Sequence, residues 1–202
     1  AVLRPHQREG ITFLWNCVTG ANEGLKRAVR ESAATASDDP WDDEAEERGP
    51  SKRGEAPRGA VLADEMGLGK TLMTIATIYA YHRRSRDRRF IVVCPSSLVT
   101  NWAKEFDKWL GKASQPKRVV VRNGASDDGL RNLKSFVPIK HNLSEVLILS
   151  YELFRMHVKV INKAGRIGML VLDEGHRLKN TSGSQILTAL NSMEAEARIL
   201  IT

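Results

Sequence analysis

A glycine-containing loop between an apolar run and a helical pattern has the composition of a phosphate-binding site. The run at 59–63 leads into Asp64-Glu65-Met66-Gly67-Leu68-Gly69-Lys70-Thr71. Glycines let the backbone wrap closely around a phosphate, and the helix that follows adds its positive N-terminal end. In such a loop Lys70 would reach the β- and γ-phosphates of a nucleotide, and the Thr71 hydroxyl would bind Mg²⁺.

One position of this loop departs from the general pattern G-x-x-x-x-G-K-[ST]. Asp64 stands where that pattern has its first glycine. The short remainder, G-K-[ST], carries little information by itself, so the prediction depends on the strand–loop–helix setting. The alternative is an ordinary turn between a strand and a helix.

A second candidate for chemistry is a pair of carboxylates that follows an apolar run. The residues Met169–Leu172 are apolar, and Asp173-Glu174-Gly175-His176 come next. Two adjacent acids at the end of a buried strand are costly unless a cation or a catalytic task compensates them. Asp173 would hold Mg²⁺, and Glu174 would orient and deprotonate the attacking water. The alternative is a strand end that simply reaches solvent.

The elements that must position these residues alternate between strands and helices. The sequence predicts strands at 59–63, 90–94, 118–122, 145–150, 169–173 and 198–201, and helices at 3–18, 70–83, 97–110, 127–136, 151–163 and 183–193. This alternation predicts an α/β fold with a doubly wound parallel sheet, and the continuous apolar runs indicate strands covered on both faces. Ligands of such sheets bind at the carboxyl ends of the strands, where both candidate motifs lie.

Charge and composition divide the chain into three parts. An N-terminal helix occupies 1–19, and an acidic, polar insert that we expect to be disordered occupies 20–58; the regular α/β part occupies 59–202. Because the chain carries +7 overall and residues 31–50 carry −7, the other 182 residues carry +14. Such a basic surface favours a polyanionic partner, although a well-solvated surface is the alternative.

Several classes of protein are excluded or disfavoured by the same composition. The sequence has no apolar run long enough for a transmembrane helix and no signal-peptide pattern at its start. Its two cysteines, Cys17 and Cys94, lie in apolar stretches, which predicts reduced core thiols. We also expect Trp102 and Trp109 to pack in the core, and the arginine-rich run 83–89 to form a solvated turn.

Taken together, the two motifs resemble those of superfamily-two helicases and translocases. The loop at 63–71 resembles the Swi/Snf-type DNA translocases in particular, in which aspartate at the first loop position is usual. The segments 3–10, 94–99, 101–102 and 173–180 resemble the Rad-fifty-four branch, whose members assist recombinase filaments in homologous recombination. The resemblance extends over nearly the whole chain except 20–58.

The resemblance implies a RecA-like ATPase lobe and further roles for individual residues. Gln7 would read the adenine edge, and the loop 64–71 would hold ATP. Contacts with the DNA backbone are implied for Ser96 and Ser97 and, at the end of the fourth strand, for Ser150 and Tyr151. Alternatives for these positions are a surface glutamine and plain helix caps.

The resemblance also implies partners that the chain itself does not contain. These are double-stranded DNA, a recombinase filament and a second RecA-like lobe that supplies an arginine finger; the setting would be nuclear. Since such a finger can raise the rate by roughly 10³–10⁵, we expect the first lobe alone to bind nucleotide but hardly to hydrolyse it.

Three other functions compete with a DNA motor. An RNA-directed helicase belongs to the same broad class, and preference for duplex DNA over RNA as the activator would exclude it. A catalytically silent scaffold is disfavoured because Lys70, Thr71, Asp173 and Glu174 are all intact. A P-loop kinase or GTPase has no use for the segment that begins at Asp173.

Overall fold

Six apolar runs of the sequence form the six strands of one sheet. The computed structural model describes residues 3–21, 58–65, 67–84, 89–114, 116–122, 127–137, 145–165, 167–179 and 183–202. Its strands are β1 (Gly59–Leu62), β2 (Phe90–Cys94), β3 (Lys117–Val121), β4 (Glu145–Ser150), β5 (Ile167–Leu172) and β6 (Ala195–Ile201). They lie in the order β1-β6-β5-β2-β4-β3, and every neighbouring pair is parallel.

The helical patterns also form helices close to their predicted bounds. Within the described residues the helices are α1 (Pro5–Thr19), α2 (Lys70–Arg84), α3 (Val99–Ser114), α4 (Asp127–Phe136), α5 (Tyr151–Ile161) and α6 (Gly183–Asn191). Short 3₁₀ turns occupy Ser96–Leu98, Asn162–Ala164 and Gly175–Lys179. Gly111 interrupts α3 near its end, because its φ of 64° lies in the left-handed region that favours glycine.

The two faces of the sheet bury separate apolar clusters. Along β2, Phe90 and Val92 belong to one cluster, with α1, α2 and α3, while Ile91 belongs to the other, with α4, α5 and α6. Successive side chains of a strand point to opposite faces, so a strand covered on both sides needs apolar residues at every position. The predicted doubly wound parallel sheet is therefore confirmed.

Helix α1 packs closely against the rest of the fold. A Cβ atom at Gly10 would lie 2.2 Å from Met73 Sδ of α2, so the absence of a side chain at this position lets the two helices approach. The helix ends at Gly20, which adopts a φ of 70° and donates its N–H to the Asn16 carbonyl. Of the predicted acidic insert 20–58, only Gly20, Ala21 and Arg58 lie within the described residues, and the remainder lies outside them.

The arginine-rich run differs in part from its prediction as a solvated turn. Arg83 and Arg84 are exposed at the end of α2, but Arg89 is only 7% exposed. Its Nη1 donates to the Ala164 carbonyl at 3.2 Å, and its guanidinium lies 5.4 Å from the centre of the Phe136 ring. The prediction was wrong for Arg89 because this residue directly precedes a central strand, where neighbouring elements cover it.

Three simpler predictions can be compared with the described residues. Cys17 and Cys94 are free and buried, as expected for core thiols. Trp102 is 1% exposed and packs in the core, again as expected. No helix among the described residues has the length and apolarity needed to span a bilayer.

Candidate nucleotide site

Two glycines of the loop between β1 and α2 adopt the left-handed backbone conformation. Gly67 and Gly69 have φ values of 87° and 92°, which glycine adopts without strain. Among the described residues Glu174 is the only non-glycine with a positive φ, so Asp64 adopts an ordinary conformation. The first position of the loop therefore does not demand glycine in this chain. Met66 lies outside the described residues.

Lys70 begins α2 and reaches across the carboxyl edge of the sheet. Its Nζ donates to the main-chain carbonyl of Asp64, which follows β1, and to that of Thr202, which follows β6, at 2.9 Å for Thr202. The ammonium group therefore lies between the ends of two neighbouring strands. Thr71 follows in the first turn of α2, with a half-buried side chain. Both side chains lie at the positive end of this helix, where an anion is stabilised.

Asp173 lies at the end of β5 with its carboxylate held on both oxygens. Trp102 Nε1 donates to Oδ2 at 2.7 Å, and the Glu174 main-chain N–H donates to Oδ1 at 2.9 Å. The residue is 8% exposed, and burial raises the pKa of its carboxyl group above the ordinary value. Burial outweighs the Trp102 hydrogen bond and the charge of Lys70, which act in the opposite direction.

Glu174 is directed away from the strand by an unusual backbone conformation. Its φ of 53° is left-handed, a conformation that costs a non-glycine residue of the order of 1 kcal/mol. Its Oε2 lies 3.2 Å from Nδ1 of His176, and both side chains are partly exposed. This places a carboxylate at the edge of the cavity with a histidine beside it. Such strain is often found at functional sites.

Gly175 allows the turn after Glu174 to pack against the neighbouring strand. A Cβ atom at this position would lie 2.1 Å from Leu200 Cδ1 and 2.7 Å from Leu200 Cγ of β6, so a side chain here would require Leu200 to move. This close contact, rather than a positive φ, favours glycine at this position. It holds the Asp173–His176 segment close to β6 and so close to the phosphate loop.

The start of α1 lies over the phosphate loop. His6 Nε2 lies 3.3 Å from the Leu68 carbonyl, and a Cβ atom at Gly69 would lie 2.7 Å from Gln7 Nε2. Gln7 Oε1 accepts from the Arg4 main-chain N–H at 3.1 Å, so this side chain also caps α1. The position of Gln7 is therefore compatible with both interpretations: a helix cap and a residue at the nucleotide site.

One cavity of about 630 Å³ brings most of the predicted residues together. Its lining includes these predicted residues: Gln7, Gly67, Gly69, Lys70, Thr71, Asp173 and Glu174. Asp64, Glu65 and Leu68 are exposed but do not line it. Its volume is within the usual range for a small-molecule site.

The residues predicted to contact DNA fall into two groups. Ser96 and Ser97 are exposed in the turn that precedes α3, which leaves their hydroxyls available to a phosphate. Ser150 is 4% exposed and accepts from Leu153 N as the cap of α5; Tyr151 is 3% exposed and donates to the Asp173 carbonyl. Direct contact of Ser150 and Tyr151 with DNA stays a prediction, and this arrangement does not favour it.

Sequence reasoning missed the wall that α3 contributes to the cavity. Five residues of α3 line the cavity: Asn101, Trp102, Glu105, Lys108 and Trp109. Trp109 Nε1 donates to Glu105 Oε2 at 2.6 Å, and Lys108 Nζ lies 4.6 Å from the centre of the Trp109 ring. The spacing of these residues by three, four and seven was a signal for one helix face, but the sequence assigned that face to the core alone.

The donor set at this cavity fits a magnesium ion held together with a nucleotide. Thr71 and Asp173 offer hard oxygen atoms, which Mg²⁺ prefers. In the described part of the chain, no group of three or more His, Cys, Asp or Glu side chains could hold a metal by itself. Mg²⁺ usually takes one or two carboxylates plus phosphate oxygens and waters, so the residues present are sufficient for that mode.

Proteins with similar sequences match this chain over its whole length. The DNA repair and recombination protein RAD54-like of Danio rerio is 41% identical over 208 residues, and RAD54 of Saccharomyces cerevisiae is 36% identical over 219 residues. Each alignment covers all of this chain, but the chain spans only 23% and 24% of the length of these relatives.

Solved structures with the same fold confirm the RecA-like architecture. The SWI2/SNF2 ATPase core of Sulfolobus solfataricus in complex with dsDNA is similar with a TM-score of 0.64 at 23% identity, over all of this chain and 32% of that chain. The SWI2/SNF2 ATPase core domain of Sulfolobus solfataricus is similar with a TM-score of 0.63 at 21% identity, over all of this chain and 31% of that chain. The sequence pattern of the SNF2-related domain matches residues 6–202, and the chain therefore belongs to the SNF2-related domain family.

Proposed function

We propose that this chain is the first ATPase lobe of an ATP-dependent motor that translocates on double-stranded DNA in homologous recombination and DNA repair. The observation that carries this proposal is the single cavity that joins a phosphate-loop lysine, Lys70, to the acidic pair Asp173 and Glu174. A nucleotide-binding loop alone would serve many functions, whereas a loop faced by a potential base is arranged for hydrolysis.

The predicted residues of the cavity have separate roles in this proposal. Lys70 binds the terminal phosphates, and Thr71 and Asp173 hold Mg²⁺, which neutralises charge on the phosphates when it is bound. Glu174 accepts the proton of the attacking water, since its carboxylate is partly exposed at the cavity. The loop from Asp64 to Gly69 surrounds the phosphates.

Gln7 is proposed to read the adenine base. Its amide lies beside Gly69 and already accepts a hydrogen bond from the Arg4 main chain, so it is held at the entrance of the cavity. A side-chain amide can donate to and accept from adenine at once. Binding of the base would use the donor nitrogen, which the helix cap does not occupy.

The partner proposed for the basic surface is duplex DNA. Ser96 and Ser97 offer exposed hydroxyls at the start of α3, where a phosphate is favoured. The similar SWI2/SNF2 ATPase core of Sulfolobus solfataricus is in complex with dsDNA. The similar proteins of Danio rerio and Saccharomyces cerevisiae are DNA repair and recombination proteins. A recombinase filament as protein partner and a nuclear location are proposed on the same relatives.

ATP hydrolysis by the full-length protein, with different nucleic acids, tests this proposal. Four reactions are compared: no nucleic acid, single-stranded DNA, duplex DNA and RNA. We expect strong stimulation by duplex DNA and little by RNA. Stimulation by RNA alone would indicate an RNA helicase, and no hydrolysis under any condition would indicate a scaffold.

A further inference from the structure

The hydrogen bonds of Asp173 connect it to two helices that begin at the predicted DNA side. Its carboxylate accepts from the Trp102 indole of α3, and its main-chain carbonyl accepts from the Tyr151 hydroxyl of α5 at 2.7 Å. Both donors are nearly inaccessible, with 1% and 3% of their surfaces exposed. In a buried setting such bonds fix the geometry of their acceptor, because a broken bond leaves an unsatisfied polar group.

Trp102 is held in place by its own packing. Its ring contacts Phe106 one turn further along α3, with 6.4 Å between the ring centres, and both belong to the cluster on this face of the sheet. An indole N–H is a donor only, so its one polar atom has its partner in Asp173. The side chain therefore fixes the rotation of the Asp173 carboxylate.

Of the two helices, α3 starts at an exposed segment for which a DNA contact is proposed. The turn Ser96–Leu98 immediately precedes α3, whereas Ser150, which caps α5, is buried. A displacement of the start of α3 would be transmitted to Asp173 through the rigid side chain of Trp102. No long pathway of small side-chain movements is needed.

We propose that Trp102 and Tyr151 are positioning residues that hold Asp173 in its metal-binding orientation, and that Trp102 links that orientation to contacts at the start of α3. Trp102 orients the carboxylate, and Tyr151 anchors the main chain. The inference rests on the proposed function, because it assigns Asp173 to Mg²⁺ and the start of α3 to DNA.

The variant Trp102→Phe tests the first part, since it keeps an aromatic ring in the core and removes the indole N–H. We expect the Mg²⁺ concentration for half-maximal Mg²⁺-dependent nucleotide binding to rise by about 10–100-fold, as is typical when the hydrogen-bond partner of a metal ligand is lost. Nucleotide binding in the presence of a chelator is measured in parallel, so that a direct effect of Trp102 on the cavity it lines is separated from the Mg²⁺ dependence. A fluorescent ADP analogue serves as the probe.

Trp15→Phe is the matched control. Trp15 lies on α1, packs edge-on to Tyr81 and does not line the cavity, so the same change of ring should leave the Mg²⁺ dependence as it was. If Trp102→Phe and Trp15→Phe give the same Mg²⁺ dependence as the unchanged chain, the positioning role of Trp102 is wrong.

A spectroscopic measurement tests the hydrogen bond without any reaction. The chain has four tryptophans, so its ¹H–¹⁵N spectrum contains four indole signals, and Trp102→Phe identifies one of them. We expect this signal to lie downfield, to exchange slowly with solvent and to move in Asp173→Asn and on addition of Mg²⁺ with ADP. A signal at the same position in Asp173→Asn would contradict the inference.

Stimulation by DNA tests the link to the start of α3. In the full-length protein, Trp102→Phe should reduce the ratio of duplex-stimulated to basal ATP hydrolysis at saturating Mg²⁺. An unchanged ratio overturns the link. Failure of the proposed function looks different: the unchanged protein would then show neither Mg²⁺-dependent nucleotide binding nor stimulation, while the indole signal would still report the Trp102–Asp173 bond.

Discussion

In the proposed roles, Glu174 contributes to ATP hydrolysis and Lys70 contributes to nucleotide binding, so their substitutions should have different effects. Glu174→Gln removes the carboxylate that accepts a proton but leaves the loop and Lys70 in place, so ATP should stay bound while hydrolysis falls by about 10²–10⁴-fold. Lys70→Ala removes the ammonium group and should weaken binding itself. Equilibrium binding and steady-state hydrolysis in the full-length protein separate the two effects. Normal hydrolysis by Glu174→Gln would exclude it as the base.

Asp173 is costly to the fold when it is ionised. Because burial raises its pKa in the folded state, the fold loses stability as the pH rises from the ordinary value of 3.8 through the raised one. Asp173→Asn removes this titration but replaces one acceptor oxygen by a donor, so the stability of the nucleotide-free variant relative to the unchanged chain should increase as the pH rises through this range. Chemical denaturation across pH should show this change above the ordinary pKa of aspartate and none below it. An equal difference at all pH values would contradict it.

At the scale of elements, the contact between the turn after β5 and strand β6 can be tested by substitution. Gly175→Ala places a methyl group against Leu200, and such overpacking costs about 1–3 kcal/mol of unfolding free energy. Leu200→Ala opens space for that methyl group, so the double variant should lose less than the two single variants together. Denaturant unfolding of all four proteins measures this coupling. Strict additivity would show that the side chain of Leu200 is not what requires glycine here.

The elements themselves were largely predictable, because continuous apolar runs and helical spacing are local properties. The bounds of β2, β4 and α4 agree with their predicted ranges, and the segment predicted to bind phosphate lies between a strand and a helix, β1 and α2, as expected. The order of the strands was not predicted, since local periodicity contains no information about which strands are neighbours. The same limit explains Trp102: its bond to Asp173 joins residues 71 positions apart, because α3 follows β2, Asp173 follows β5, and these two strands are neighbours in the sheet.

The burial of the polar residues Arg89 and Tyr151 also could not be predicted from the local sequence. The position of Arg89 in a basic run predicted a solvated arginine, and the resemblance implied a DNA contact for Tyr151; both side chains are buried with hydrogen-bond partners, and the DNA contact of Tyr151 stays a prediction. A polar side chain can be buried when a partner is present, and the sequence alone does not show that partner.

At the scale of the whole molecule, the proposed second lobe would add an arginine to this site. Within the described residues, the basic side chains that line the cavity are Arg4, Lys70 and Lys108. We expect this chain alone to bind nucleotide and to hydrolyse it about 10³–10⁵-fold more slowly than the full-length protein with DNA. Single-turnover hydrolysis by both forms measures the ratio. Equal rates would show that no second lobe is needed.

Strand β1, which leads into the loop of the candidate nucleotide site, lies at the edge of the sheet, and this position affects when the site can form during folding. Within the described residues β1 pairs only with β6, so Gly59 finds its partner at Arg198, close to the far end of this chain. Contacts between such distant positions form slowly, because a long segment must first be closed into a loop. During synthesis, the phosphate loop therefore has no supporting strand until β6 has left the ribosome. The ability to bind ATP should then be among the last properties to appear as the lobe folds.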